Sequence, residues 1–172
     1  MNKRMAAYHE AGHAVVARHL GLPFTQAGIW QERVTRSDGS TFKLWVGEVK
    51  AAYGRLSPHK QRIASVAGSV AVYCADMIEH RSPEGYGELM FDEIADRMSE
   101  NDWTLFYEGH SVTDDPGTIS AARWRAWHKA MKQTYALFNP ETSPLWKELQ
   151  REQRKLMRRN FVTTLSLERK AA

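Results

Sequence analysis

His9-Glu10-Ala11-Gly12-His13 sets two imidazoles four residues apart, with a carboxylate next to the first. On a helix this spacing places both histidines on one face about one turn apart, so both rings reach one zinc ion at about 2.0 to 2.1 Å. Glu10 then stands beside the metal, where a carboxylate takes a proton from a zinc-bound water and later passes it to a leaving amine. The chemistry this pattern points to is zinc-dependent peptide-bond hydrolysis, with His9 and His13 as ligands and Glu10 as the catalytic residue. Small residues at Ala11 and Gly12 leave space around the site. A glycine inside a helix costs about 1 kcal/mol relative to alanine, so Gly12 needs a packing or functional reason.

A catalytic zinc also needs a third protein ligand and an open position. No third histidine completes the extended motif, because His19 lies one residue early and Val16 stands where that form has glycine. The ligand must come from elsewhere in the chain, with Asp76, Glu79, Glu84, Asp92, Glu93, Asp96, Glu100, Asp102 and His80 as candidates. The only cysteine, Cys74, excludes a thiolate cluster and an intramolecular disulfide, and is read as core packing.

The elements that must position these groups are legible in outline. Lys3 to Leu20 has helical periodicity, with Asn2 as N-cap and Gly21 and Pro23 as a stop. Ala27 to Arg36 and Thr41 to Val49 favour strands, joined through Ser37-Asp38-Gly39-Ser40 as a hairpin. Ser57-Pro58 starts a helix, and Ile63 to Ile78 continues as a core helix whose Gly68, Ser69, Ala71 and Ala75 admit a close neighbour. Residues 81 to 88 read as a loop, followed by a helix from Leu89 to about Met98. Ser99 to Asp102 offer caps to a short helix around Trp103 to Tyr107. Gly109 to Gly117 reads as a polar loop, and a helix capped by Thr118 or Ser120 runs to about Phe138. After the break at 139 to 144, a charged helix runs from Leu145 to about Asn160, leaving 161 to 172 as a tail. The expected fold class is α+β and mainly helical: a motif helix, a small antiparallel hairpin and a helical C-terminal half. Domain organisation is read as one unit over 1 to 172, with 1 to 107 carrying the metal site and 118 to 160 the helical portion.

The composition is that of a soluble globular chain: among 172 residues, 42% are hydrophobic and 26% charged, which excludes the disordered class. Lys and Arg outnumber Asp and Glu by 24 to 20, an excess too mild to demand a polyanionic partner. The run from Ala67 to Ile78 contains Ser69 and Asp76 and is too short to span a bilayer. Charged and polar residues from Tyr8 to His13 exclude a signal peptide. A cytoplasmic protein with no membrane partner is therefore expected.

Tyr8-His9-Glu10-Ala11-Gly12-His13-Ala14-Val15-Val16-Ala17 resembles the motif helix of the peptidase domain of FtsH-type zinc metalloproteases. In that family two strands follow, then a helix with an Ala-Gly pair, then a Ser-Asn-Asp segment whose aspartate is the third zinc ligand. Ala67-Gly68 and Ser99-Glu100-Asn101-Asp102-Trp103 are similar to those later parts, with Glu100 inserted and Trp103 replacing a leucine. The resemblance implies a zincin-like fold and makes Asp102 the preferred third ligand, with Glu93 as runner-up. Family members carry an ATPase, but none of the eleven glycines here is followed by lysine, so no phosphate loop of that type exists. The expectation is a stand-alone, ATP-independent peptidase acting on flexible peptide segments, alone or with a separate delivery partner. The hairpin strand Thr41 to Val49 is a candidate edge for pairing with an extended peptide.

The competing function class is an inactive zinc-binding regulatory protein, or a module that binds protein or nucleic acid. Arg123-Trp124-Arg125-Ala126-Trp127-His128-Lys129 interleaves bases and aromatics, as nucleic-acid sites do. Trp124, Trp127, Met131, Tyr135 and Phe138 also recur at helical spacing, which favours a core-facing stripe, so nucleic acid is not the expected partner. No feature of the sequence specifies an oligomer.

Overall fold

The fold is built around its first helix. The structure, a computed structural model, describes residues 1–22, 24–80, 88–107 and 121–163. Helix α1 (Lys3–His19) starts where the Asn2 side chain accepts a 2.9 Å hydrogen bond from the Met5 N–H, and every residue from Ala6 to Ala17 is buried. A helix buried on all sides needs partners on all sides. The antiparallel hairpin of β1 (Phe24–Thr35) and β2 (Thr41–Ala51), helix α3 (Ala67–His80) and helix α7 (Pro144–Arg159) supply them.

The hairpin pairs from Thr35 with Thr41 back to Phe24 with Ala51, with one irregularity between Phe24 and Gln26. Its turn needs Gly39, which sits at φ 82°, and the Asp38 carboxylate accepts from the Ser40 N–H at 2.8 Å. A third strand, β3 (Phe161–Thr163), pairs antiparallel with β1 and gives the order β2-β1-β3. Part of the expected tail is thus a sheet strand. Asn160 ends α7 in the left-handed conformation, φ 60°, and its carbonyl accepts from the Ile29 N–H at 2.7 Å, turning the β-prone Phe161-Val162-Thr163 onto β1.

After β2 come a 3₁₀ turn (Tyr53–Arg55) and two helices, α2 (Pro58–Ser65) and α3, where a continuous core helix was expected. The chain breaks at Val66, beside a Ser65 hydroxyl that bonds back to the Arg62 carbonyl at 2.8 Å and competes with the helical ladder. Helices α4 (Glu88–Ala95), α5 (Glu100–Phe106) and α6 (Ala121–Phe138) follow. The expected loops at 81–87 and 109–117, and the caps Thr118 and Ser120, lie outside the described residues.

One hydrophobic cluster joins α1, α2, α3, α6 and α7, with Val15, Val66, Met131, Phe138 and Leu149 among its fully buried members. Cys74 lies inside it, and burial pushes its thiol up to about 12, as for a packing residue rather than a nucleophile. Trp127, Met131, Tyr135 and Phe138 face the core as their spacing predicts, whereas Trp124 is 42% exposed and stacks on Trp127 from outside. The molecule is mainly helical with a small antiparallel sheet, an α+β fold. No helix among the described residues is long and apolar enough to cross a membrane.

Candidate metal centre

Three glycines allow the motif to be buried. A Cβ on Gly12 would lie 2.5 Å from the Ala67 carbonyl oxygen and 2.7 Å from Ala71 Cβ, so α1 and α3 approach to backbone contact there. This is the packing reason that a mid-helix glycine called for. Across the contact, a Cβ on Gly68 would stand 2.5 Å from His13 Nε2 and 2.6 Å from His9 Nε2. Gly68 thereby leaves the imidazole edges, and the space between them, unfilled. On the sheet side, a Cβ on Gly47 of β2 would overlap Glu10 Cγ and lie 2.8 Å from Glu10 Cδ. Sequence reasoning missed Gly47; a glycine inside a strand pattern signals such a close approach.

Asp102 comes from a separate element. It is the third residue of α5, and a reciprocal capping box fixes it: the Ser99 N–H donates to Asp102 Oδ2 at 2.9 Å and the Asp102 N–H donates to Ser99 Oγ at 3.2 Å. The helix begins at Glu100 rather than near Trp103, which puts Asp102 inside its first turn with its carboxylate held toward α1. Asp102 Oδ2 lies 3.2 Å from His9 Nε2, Asp102 Oδ1 lies 3.0 Å from His13 Nε2, and the two Nε2 atoms are 3.1 Å apart. A tetrahedral ion with bonds near 2.0 to 2.1 Å sets its donors roughly 3.3 Å apart, and the two imidazoles stand at about that separation from each other and from the two oxygens of the one carboxylate. His9, His13 and Asp102 form a group able to hold a metal ion, the only such group among the described residues.

The tautomer of His13 suits that role. Its Nδ1–H donates to the Ala64 carbonyl at 2.9 Å, which leaves Nε2 directed at the shared point. Ala64 is the penultimate residue of α2, two before the break at Val66, and its carbonyl is the acceptor that orients His13. The Nδ1 atom of His9 is buried without a partner among the described residues.

The three motif groups and Asp102 are nearly inaccessible: His9 is 5% exposed, Glu10 4%, His13 6% and Asp102 6%. Burial would lower the His13 pKa, yet the adjacent Asp102 carboxylate more than reverses this and raises it to about 9. Burial likewise opposes ionisation of Asp102, but contact with both imidazoles holds it well below the usual carboxylate range. Desolvation, with help from Asp102 and Glu48, raises Glu10 above an ordinary glutamate, against the pull of His9 and His13. The cluster therefore draws in positive charge, and in the metal-free protein a proton on His13 answers it.

The remaining candidates are elsewhere. Glu93, the runner-up, is exposed on α4, with its carboxylate 3.5 Å from Arg97. Asp76 is 3.2 Å from the same guanidinium, and Glu79 pairs with Arg4. Asp92, Asp96 and Glu100 are exposed and outside the group. Glu84 and the His80 side chain lie outside the described residues.

The site opens into a cleft of about 340 Å³ lined by His9, Glu10, His13, Asp102, Gly47, Val49 and Tyr53, among others. Tyr53, a further residue that the motif reading did not single out, follows β2 directly. Burial and the nearby Glu10 and Asp102 carboxylates raise its pKa, keeping the phenol a hydrogen-bond donor. Comparison with protein-family models and with curated proteins returns no match.

Proposed function

We propose that this chain is a zinc-dependent peptidase whose hydrolytic step itself needs no ATP. The observation that carries the reading is the convergence of His9, His13 and Asp102 on one point beside Glu10, in a cleft bordered by β2. Two imidazoles and a carboxylate suit zinc among the common divalent ions. The reading also takes in the resemblance of the motif helix and the Ser99–Asp102 segment to FtsH-type peptidases, and with it a zincin-like fold.

When bound, zinc polarises the peptide carbonyl and makes water acidic enough to react at neutral pH. Glu10 takes a proton from the attacking water as its oxygen bonds to the carbonyl carbon. It returns that proton to the amide nitrogen as the C–N bond breaks, so one water is consumed and an acid and an amine are released. The raised pKa of Glu10 brings it nearer to the working pH, as this shuttle requires. Tyr53 donates a hydrogen bond to the oxygen on which charge develops.

The test is cleavage of casein and a peptide library by zinc-loaded protein against its Glu10→Gln variant, with bound zinc measured in both. Cleavage is expected to fall about 100-fold or more in the variant while zinc is retained. Equal activity in the two would remove Glu10 from the reaction.

A further inference from the structure

The cleft is bordered by a strand edge that is open at one end and closed at the other. In the sheet order β2-β1-β3, β2 has a neighbour on one side only among the described residues. Its register, and the outward bond made by Trp45, place the N–H groups of Trp45, Gly47 and Val49 on the side away from β1. Gly47 and Val49 line the cleft, and their outward N–H groups have no backbone partner among the described residues. Trp45 differs: its N–H donates to the Met1 carbonyl at 3.1 Å. That segment is pinned on both sides, because Asn2 caps α1 and the Lys3 ammonium sits 4.9 Å over the Trp45 ring while donating to the Met157 carbonyl at 3.0 Å.

We propose that this cleft engages peptides at their C-terminal end, because Met1 closes the β2 edge at Trp45, about two residues beyond the position of the scissile bond. The proposal rests on the peptidase reading above. Glu10 lies directly against Gly47, so the carbonyl it serves is opposite Gly47. Antiparallel addition is the more stable and commoner pairing, and it runs the peptide from the Tyr53 end toward Trp45. Gly47 to Trp45 is two residues, about 7 Å of strand. A peptide paired there has room for about two residues after the cleaved bond before it meets the Met1 backbone. Longer C-terminal extensions must leave the edge and forfeit its hydrogen bonds.

The experiment is a ladder of peptides with a fixed N-terminal part and one to eight residues after the cleaved bond, given to the zinc-loaded protein and read by mass spectrometry. The expected result is at least about tenfold faster cleavage of the one- and two-residue members than of the longest. Trp45→Pro removes the indole under Lys3 and an outward N–H but no ladder bond, so it releases Met1 and narrows that difference. Trp45→Ala keeps the N–H and keeps the preference. Equal rates along the ladder in the unaltered protein would overturn the proposal.

Amide hydrogen exchange of the Glu10→Gln protein with the same peptides provides a readout independent of hydrolysis. Short peptides are expected to protect Gly47 and Val49 more than long ones do. If that pattern appears without cleavage by the parent protein, the peptidase reading fails and the closed groove stands. Protection at neither residue, or protection independent of length, overturns the closed groove itself.

Discussion

Helix α1 takes part in two ionic clusters, and they are built on opposite principles. Toward its C-terminal end, Arg18 reaches α7 and meets Glu148 at 2.7 Å and Glu152 at 3.2 Å, while Lys155 approaches Glu152 at 2.8 Å. Glu152 is 1% exposed, and both neighbouring cations answer its charge. Toward the middle of the helix, Glu10 and Asp102 share a pocket with the imidazoles of His9 and His13. The first cluster balances its own charge and binds α1 to α7. The second sets two carboxylates beside two imidazoles at the border of a cleft, which is how an ion pair that holds a fold differs from a group able to hold a metal ion.

The largest expected effect separates the two directly. Asp102→Ala should weaken zinc binding by more than about 100-fold, beyond the loss typical of an outer partner, as measured by competition with a chromophoric chelator. Glu152→Ala should leave zinc affinity within about twofold yet lower stability by about 2 to 3 kcal/mol, between the values for exposed and fully buried pairs, read by urea denaturation. Similar zinc losses in both variants would erase the distinction.

The glycines offer a second contrast. Gly68→Ala places a methyl against the ligating edges of His9 and His13 and should cost at least about tenfold in zinc affinity, or about 1.4 kcal/mol. Gly12→Ala meets backbone instead and should cost about 1 to 3 kcal/mol of folding stability through the α1–α3 contact, seen as a lower urea midpoint.

Dependence on pH is the smaller and more diagnostic effect. The raised His13 pKa means that, without metal, the stability it contributes is complete below about 6.5 and lost as pH rises through about 9. The lowered Asp102 pKa adds stability that is present above its ordinary value of 3.8 and lost as pH falls below it. The pair thus stabilises the metal-free protein most between about pH 4 and 6.5. Zinc and the His13 proton compete for one nitrogen, so the rise in Tm caused by zinc should grow from pH 5.5 to pH 8.5. Thermal melts across that range, with and without zinc, check this; a zinc increment that shrinks with pH would contradict it.

How much of this was legible in the sequence depended on the distance between cooperating residues. The placement of His9, Glu10 and His13 follows from helical periodicity alone, and the hairpin from the Asp38-Gly39 turn and its flanking strands. Asp102 lies 89 residues beyond His13, and spacing could not select it from the other carboxylates. Resemblance named it, and the Ser99-x-x-Asp102 capping box shows the local reason it is rigid. The helix break at Val66 was missed because Ile63 to Ile78 is largely apolar, and periodicity does not register which carbonyl a distant histidine will claim. Strand β3 escaped because three residues are too few to establish alternation. Burial of Glu152 escaped as well, since within the sequence it reads as one charge of a solvated face.

The central claim is that the triangle of His9, His13 and Asp102 is a metal centre, and zinc titration by calorimetry near pH 7.5 in buffers of different ionisation heat tests it most directly. The account predicts one zinc per chain and release of about one proton, the one that Asp102 holds on His13. No saturable binding, or binding that survives Asp102→Ala undiminished, would contradict it.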